Sequence, residues 1–424
     1  MHFADLLWQS SLVRGLHGKV TVRNFFTTTL AAGLVVTASI AASAQSRPQL
    51  QISHTPESLR GVSIVSRKIA WASGTHGTYL RTTDGGLIWT PEQVPGAENL
   101  DFRAVVAFSA DQAFLMSAGP GDQSRIYHTS DTGRHWELQY KNTNPKGFFD
   151  AMVFWDSTHG IVLGDPIPDE TGKLKFELLT TSDGHNWSAI PASQIPPAVE
   201  GEGAFAASNS CMAIIRRGSA HSHASRSDDV IPNGPKARRD LTSAKSSDDA
   251  GQAAEGPVSG DEITDPNVWF ATGGKVARVF HSRDRGQTWE VFQTPIIHGP
   301  DSAGIFSIAF SDPAHGVIAG GDYKHPEQDG PNLAFTDDGG KTWTLSKIYP
   351  QQYYSAAAYD RKREPGHPRL FIVGPKFIYD FRPPKNPTRI SASKKSDSGF
   401  NAVATYPEGG ALVVGPKGTI AFVP

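Results

Sequence analysis

Cysteine is almost missing from this chain. Its 424 residues hold one, Cys211, so no intramolecular disulfide can form. That residue lies in the apolar stretch Ala204 to Ile215 and reads as packing rather than chemistry. An excess of one charge is missing too. Forty Lys and Arg stand against 42 Asp and Glu, and a net charge of −2 removes the electrostatic case for nucleic acid. There is no Cys-x-x-Cys, and no Gly-x-Gly-x-x-Gly stands between a strand and a helix, so nothing here supports an oxidoreductase or a bound cofactor. The apolar run Leu30 to Ala42 is shorter than the ~20 residues a membrane span needs. Arg23 precedes it and the small residues Ala42-Ser43-Ala44 follow, which is the pattern of an export leader over 1–44. Residues 1–22 make that leader long, as a start codon assigned too early would. The mature chain is expected to begin near Gln45, to be periplasmic or secreted, to lack an integral membrane span and to act as a monomer.

Turn-forming residues are abundant, with 42 Gly and 30 Pro. Five copies of one short pattern recur. They are Thr82-x-Asp84-x-Gly86-x-x-Trp89, Thr129-x-Asp131-x-Gly133-x-x-Trp136, Thr181-x-Asp183 running to Trp187, Ser282-x-Asp284-x-Gly286-x-x-Trp289 and Thr336-x-Asp338-x-Gly340-x-x-Trp343. Each reads as a hairpin turn. The Asp carboxylate accepts backbone N–H bonds as in an Asx-turn, and Gly supplies a positive φ. Trp buries a large apolar body beside the next blade, with its N–H seeking a carbonyl. The third copy has His185 where Gly is expected, and Trp187 comes one residue early, so that turn should be tighter or distorted. The five Asp residues fall in separate repeats and tie turns; they do not converge on a metal or a catalytic centre.

A fixed period implies a repeat fold. The Asp positions stand 47, 52, 101 and 54 residues apart. Residues 216–264 lie in the long gap and are rich in Ser, Asp, Lys, Arg, Gly and Ala, which marks a disordered insertion. Without it the period is restored. Strand patterns place box-bearing blades within 58–96, 100–141, 148–191, 202–295 and 304–347. A sixth blade, about 353–391, has lost its box to Arg382-Pro383-Pro384. Residues 399–424 supply three strands, and Gln49 to Ser53 can complete that last blade. The expected fold over 45–424 is all-β: a seven-bladed β-propeller of four-stranded antiparallel blades, closed by the N-terminal strand.

In such a blade the turns between strands 1 and 2 and strands 3 and 4 share one face. The boxes and the insertion therefore occupy that face. The other face carries the 2–3 loops and the inter-blade connections, the usual place for binding residues on a rigid scaffold. There the candidates are Arg103, Asp165, Glu202, Lys275, Arg278, Asp322, Tyr323 and Lys324, with the last three as the contact centre. No metal site is expected. His221-Ser222-His223 lies in the insertion, and two His without a third fixed ligand make a poor site; His325 beside Asp322 meets the same objection.

The repeated turn resembles the Asp-box, or bacterial neuraminidase repeat. Asp-boxes occur in sialidases, other glycosidases, sortilin-like receptors and the photosystem II stability/assembly factor family. The chain looks most like bacterial relatives of that last family. The resemblance rests on Thr82-x-Asp84-Gly85-Gly86, His159-Gly160-Ile161-Val162-Leu163-Gly164-Asp165-Pro166, Gly203-Ala204-Phe205-Ala206-Ala207-Ser208 and Gly316-Val317-Ile318-Ala319-Gly320-Gly321-Asp322-Tyr323. It implies a seven-bladed propeller and a binding or assembly role.

Two readings follow. One is a non-enzymatic propeller holding a protein or peptide partner on the loop face, with no catalytic residues. The other is a sialidase-like or other glycoside hydrolase. A sialidase-like site needs three Arg residues on a carboxylate and a Tyr nucleophile activated by Glu. Arg103, in Phe102-Arg103-Ala104-Val105, and Arg278 offer two guanidinium groups, and no third is evident on an equivalent inner strand. Asp165 and Glu202 are the carboxylates a hydrolase would use.

Overall fold

The computed structural model describes residues 47–215, 265–347, 352–362, 368–382, 388–390 and 399–424. The expected export leader over 1–44, the expected insertion over 216–264 with His221 and His223, and Pro383-Pro384 lie outside the described residues.

Seven antiparallel sheets form the blades. Blade 1 runs Leu59–Ile64, Ala70–Gly74, Thr78–Thr82 and Thr90–Gln93. Blade 2 runs Asp101–Ala107, Ala113–Ala118, Arg125–Thr129 and Glu137–Lys141. Blade 3 runs Phe149–Phe154, Gly160–Pro168, Leu174–Thr181 and Ser188–Ala189. Blade 4 runs Met212–Ile214, Val268–Ala271, Arg278–Ser282 and Glu290–Gln293. Blade 5 runs Ala303–Phe310, Gly316–Asp322, Leu333–Thr336 and Thr344–Leu345. Blade 6 runs Ala356–Tyr359, Leu370–Gly374, Phe377–Phe381 and Thr388–Ile390. Blade 7 takes Ala402–Thr405, Ala411–Gly415 and Thr419–Val423 from the end of the chain, and Gln49–Gln51 as its outer strand.

Burial explains the composition of each strand. Second strands such as Ala113–Ala118 and Ala411–Gly415 are buried at every residue and read as continuous apolar or small runs, because a neighbouring blade covers each face. Outer strands such as Glu137–Lys141 are largely exposed and carry charge, which protects a free sheet edge. The core is seven apolar clusters, one between each pair of adjacent blades. The cluster joining blades 7 and 1 closes the ring, with Leu412 and Ile420 packed on Leu59, Leu80 and Trp89. Cys211 is buried in the cluster between blades 3 and 4, as packing. Among the described residues no helix is long and apolar enough to cross a membrane.

The boxes are 3–4 turns, and they bond to the 1–2 turns of their own blades: Gly85 N donates to Lys68 O, Thr132 N to Asp111 O and Gly339 N to Ala314 O. The two sets of turns thus share a face. Inside each full box the Thr or Ser hydroxyl accepts the N–H of the Gly four residues on, as Gly86 N does to Thr82 Oγ1 at 2.9 Å. In the third box Gly184 takes that role one residue earlier, donating to Thr181 Oγ1 at 3.0 Å with a φ of 72°. The turn is shorter by one residue, as its sequence implied. The tryptophans require a correction: they pack on the preceding blade, not the next. Trp136 of blade 2 lies 5.0 Å from Tyr79 of blade 1, and Trp343 of blade 5 joins the cluster of Trp269 in blade 4. The box ends where the outer strand begins, and blade twist leans that start back over the blade before it.

Candidate functional site

Four inner strands share one irregularity. Their register slips between Leu59 and Gly61, Phe102 and Ala104, Phe149 and Ala151, and Ile305 and Ser307. The residues left out of the pairing are Arg60, Arg103, Asp150 and Phe306. A β-bulge re-aims its extra side chain and interrupts pairing. Here the same bulge repeats in blades 1, 2, 3 and 5, so these four side chains occupy equivalent positions on the inner rim of the ring. Asp101 joins the two arginines. Its Oδ1 is 3.6 Å from Arg60 Nε, and its Oδ2 accepts from Arg103 Nε at 2.9 Å.

Residues 204–210, between the short strand Glu202–Gly203 and blade 4, cross the centre of the ring. Ala204 N donates to Asp165 Oδ1 at 3.0 Å, and Ala206 O accepts from Arg103 Nη1 at 2.8 Å. Ser208 Oγ donates to Ser355 O beside blade 6, and Ser210 Oγ to Phe306 O in blade 5. Asn209, held at a φ of 61°, pairs both ways with the backbone of Met152 in blade 3. One segment thereby ties blades 2, 3, 5 and 6. It also delivers Phe205, which stacks on Phe306 at 3.9 Å between centroids. Phe306 in turn meets Tyr353 edge-on at 4.8 Å and Tyr323 edge-on at 6.1 Å, extending an aromatic wall. Phe205 fits because Gly273 and Gly304 leave it room; a Cβ on Gly304 would lie 2.9 Å from its ring and 2.3 Å from the Gly273 Cα.

Burial dominates the electrostatics here. It pushes the Asp150 carboxyl well above the usual range, the charge of Asp165 adds to this, and Arg103 opposes it. Neither Asp150 oxygen accepts a hydrogen bond of ordinary geometry. Burial raises Asp165 to about 6, against the N–H of Ala204. The Tyr353 hydroxyl is likewise raised by burial, and burial lowers the Arg60 guanidinium against the pull of Asp101.

Two of the expected binding residues are otherwise engaged. Glu202 and Arg278 form a buried ion pair: Arg278 Nε donates to Glu202 Oε1 at 2.9 Å, and Nη2 to Oε2. Thr272 Oγ1 and Val199 N fill the remaining acceptor sites of Glu202. Arg278 stands on the third strand of blade 4, and its guanidinium is spent on the 197–202 connection, bonding to Glu202 and to Pro197 O. Asp322 is also turned inward, accepting from Lys324 N at 2.9 Å and contacting His325 Nδ1 at 2.8 Å. It shapes the loop that leaves Tyr323 and Lys324 exposed. Lys275 is exposed on the loop that pairs with Glu202–Gly203. Arg103 and Asp165 both bond to the 204–206 segment.

Sequence reasoning missed Arg60, Asp101, Asp150, Phe205, Phe306 and Tyr353. A signal for the rim existed. Leu59-Arg60-Gly61-Val62, Phe102-Arg103-Ala104-Val105, Phe149-Asp150-Ala151-Met152 and Ile305-Phe306-Ser307-Ile308 share one form: apolar, variable, small, apolar. That repeat supplies the second inner-strand arginine, Arg60, which was not evident before.

No protein-family model matches the chain. The rice chloroplast photosystem II stability/assembly factor HCF136 is 31% identical over 119 residues, which are 27% of this chain and 26% of that protein. The Arabidopsis thaliana HCF136 is 29% identical over a stretch covering 27% of each. The match thus spans about a quarter of the curated relatives' length. Among solved structures, YCF48 bound to D1 peptide superposes with a TM-score of 0.52 at 16% identity, covering 91% of this chain and 99% of that one. The GH74 xyloglucanase from Xanthomonas campestris reaches 0.52 at 15% identity over 88% of this chain and 53% of its own. At such identities the structures speak for the propeller fold alone. Over that stretch the chain resembles the photosystem II stability/assembly factors.

Proposed function

We propose that the chain is an exported, non-enzymatic propeller that holds an extended segment of a protein partner on its loop face, in the manner of an assembly or stability factor. The observation that carries this is the joining of Arg60, Asp101 and Arg103 with the Phe205, Phe306, Tyr353 and Tyr323 wall at one end of the ring. The side chains of Arg60 and Arg103 are 28% and 27% exposed, so neither is sealed from solvent. Arginines beside aromatic faces suit a peptide that brings a carboxylate and an apolar side chain together. A propeller of this fold, YCF48, has been solved with a D1 peptide, which supports a peptide as the partner class. The leader pattern before Gln45 supports export. No observation favours the glycoside hydrolase: Glu202 spends its carboxylate on Arg278, Thr272 and Val199, leaving Asp165 without its proposed catalytic companion.

The test is a quantitative capture from the native envelope fraction, with the chain from Gln45 as bait. Two variants serve as controls, Arg60→Ala with Arg103→Ala, and Tyr323→Ala with Lys324→Ala, each checked for folding by circular dichroism. A partner retained by the wild type and weakened about tenfold or more in both is the expected result, since central arginines and aromatics dominate such interfaces. Equal capture by all three proteins sinks the assignment of this face.

A further inference from the structure

The shortened third box has a consequence on the opposite face, independent of peptide binding. Because Gly184 closes that turn one residue early, the residue four on from Thr181, a glycine in the other boxes, is free to carry a side chain, and it is His185. The turn is firmly held. Asp183 Oδ1 accepts from His185 N at 2.8 Å and Asn186 N at 2.7 Å. Gln139 of blade 2 bolts it to the neighbouring blade, donating to Gly184 O at 3.0 Å and accepting from Trp187 Nε1 at 3.1 Å. His185 is thereby placed against blade 2. There His128 and Glu137 are direct cross-strand partners, with side chains on the same side of the sheet. The rings of His128 and His185 meet edge to face at 5.5 Å, and His128 is backed by Phe114 at 4.5 Å.

We propose that His128, Glu137 and His185 bind one divalent transition-metal ion, clasping blade 2 to the box turn of blade 3. One ligand atom from each residue lies within 4.8 Å of the other two. Around a tetrahedral zinc with bonds of ~2.0–2.1 Å such atoms stand about 3.3 Å apart, so the cluster must contract. It has the freedom to do so: His185 and Glu137 are 60% and 62% exposed, while buried His128 serves as the fixed ligand. Two imidazole nitrogens and one carboxylate oxygen suit zinc, copper or nickel rather than calcium or magnesium. Water completes the fourth position. The site is invisible to spacing rules, because its ligands come from two strands and from a turn in another blade.

The test uses the tag-free full chain, stripped with chelator, in a background where His221 and His223 are replaced by alanine so that the insertion contributes no ligand. Zn2+ affinity is read by competition with a chromophoric chelator, Co2+ coordination by its visible spectrum, and stability by the melting temperature. One equivalent of Zn2+, a tetrahedral Co2+ spectrum and a metal-dependent rise in melting temperature are expected. His185→Ala and Glu137→Ala, both at exposed positions, should each weaken Zn2+ by about tenfold or more and abolish the Co2+ spectrum. Micromolar Zn2+ that leaves the apo chain unbound overturns the proposal, and so does binding that is unchanged in both variants.

Discussion

Asp165 is held by a single N–H, that of Ala204, in a place where burial lifts its carboxyl from 3.8 to about 6. The sign of the consequence follows from proton counting. Between about pH 4 and 6 the folded chain keeps a proton on Asp165 that the unfolded chain has lost, so stability falls as pH rises through that window and stays lower above it. A shift of this size corresponds to roughly 1–3 kcal/mol. Asp165→Asn keeps an acceptor for Ala204 and cannot ionise. It should therefore be more stable than the wild type at pH 7 and nearly equal to it at pH 4. Urea unfolding of both proteins at the two pH values measures this directly; the same difference at both would show that ionisation of Asp165 is not what costs stability. Asp150, beside it and raised by the same burial, adds to the slope in the wild type and remains in the variant.

The box is the element in which local chemistry is most complete. Asp338 illustrates it: Oδ1 accepts from Lys341 N, Thr342 N and Thr336 Oγ1, and Oδ2 from Thr342 Oγ1. Burial pushes this carboxyl up, but those bonds pull it further down, to about 2. Its stabilising contribution is present above the unfolded value near 3.8 and is lost as pH falls toward about 2. Asp338→Ala should cost about 1 kcal/mol near neutral pH, solvent having screened the rest, and should leave partner capture intact. A wild-type denaturation midpoint would show that the turn is held by Thr336 and Gly340 without the carboxylate. Elements of this kind were legible because their bonds close within eight residues, as were the strands, whose burial writes itself into runs such as Ala411 to Gly415. The rim was not legible. Arg103 bonds to Ala206, 103 residues away in the chain, and the bulge at Arg60 leaves only the plain phrase Leu59-Arg60-Gly61 in the chain. Glu202 and Arg278 misled for the same reason: charge in a loop phrase does not show that the two find each other at 2.9 Å.

At the scale of the whole molecule, the ring depends on one short strand. Gln49–Gln51 pairs with Thr419–Val423 over three residues, a small contact to close seven blades. Its strength lies in a side chain. Gln51 Oε1 accepts from Trp89 Nε1 at 2.8 Å, and its Nε2 donates to Gly85 O at 3.2 Å, so the outer strand of blade 7 is locked into the box of blade 1. Trp187 makes the same lock with Gln139 between blades 2 and 3, whereas Trp289 and Trp343 donate to the Gly286 and Gly340 carbonyls of their own boxes. Only at this seam do the two ends of the chain meet. A chain beginning at Ser53 loses the outer strand, leaves Trp89 without its acceptor and opens the edge of Thr419–Val423. It should melt roughly 5 °C or more below the intact propeller and associate in solution, because a free strand edge recruits other chains. Gln51→Ala keeps the strand and removes the lock. It should lower the melting temperature by less and remain monodisperse on gel filtration. If the truncated chain melts with the wild type and elutes unchanged, the apolar cluster of Leu59, Trp89, Leu412 and Ile420 closes the ring by itself. If Gln51→Ala is as damaging as the truncation, the lock, rather than the backbone ladder, is what holds the two ends together.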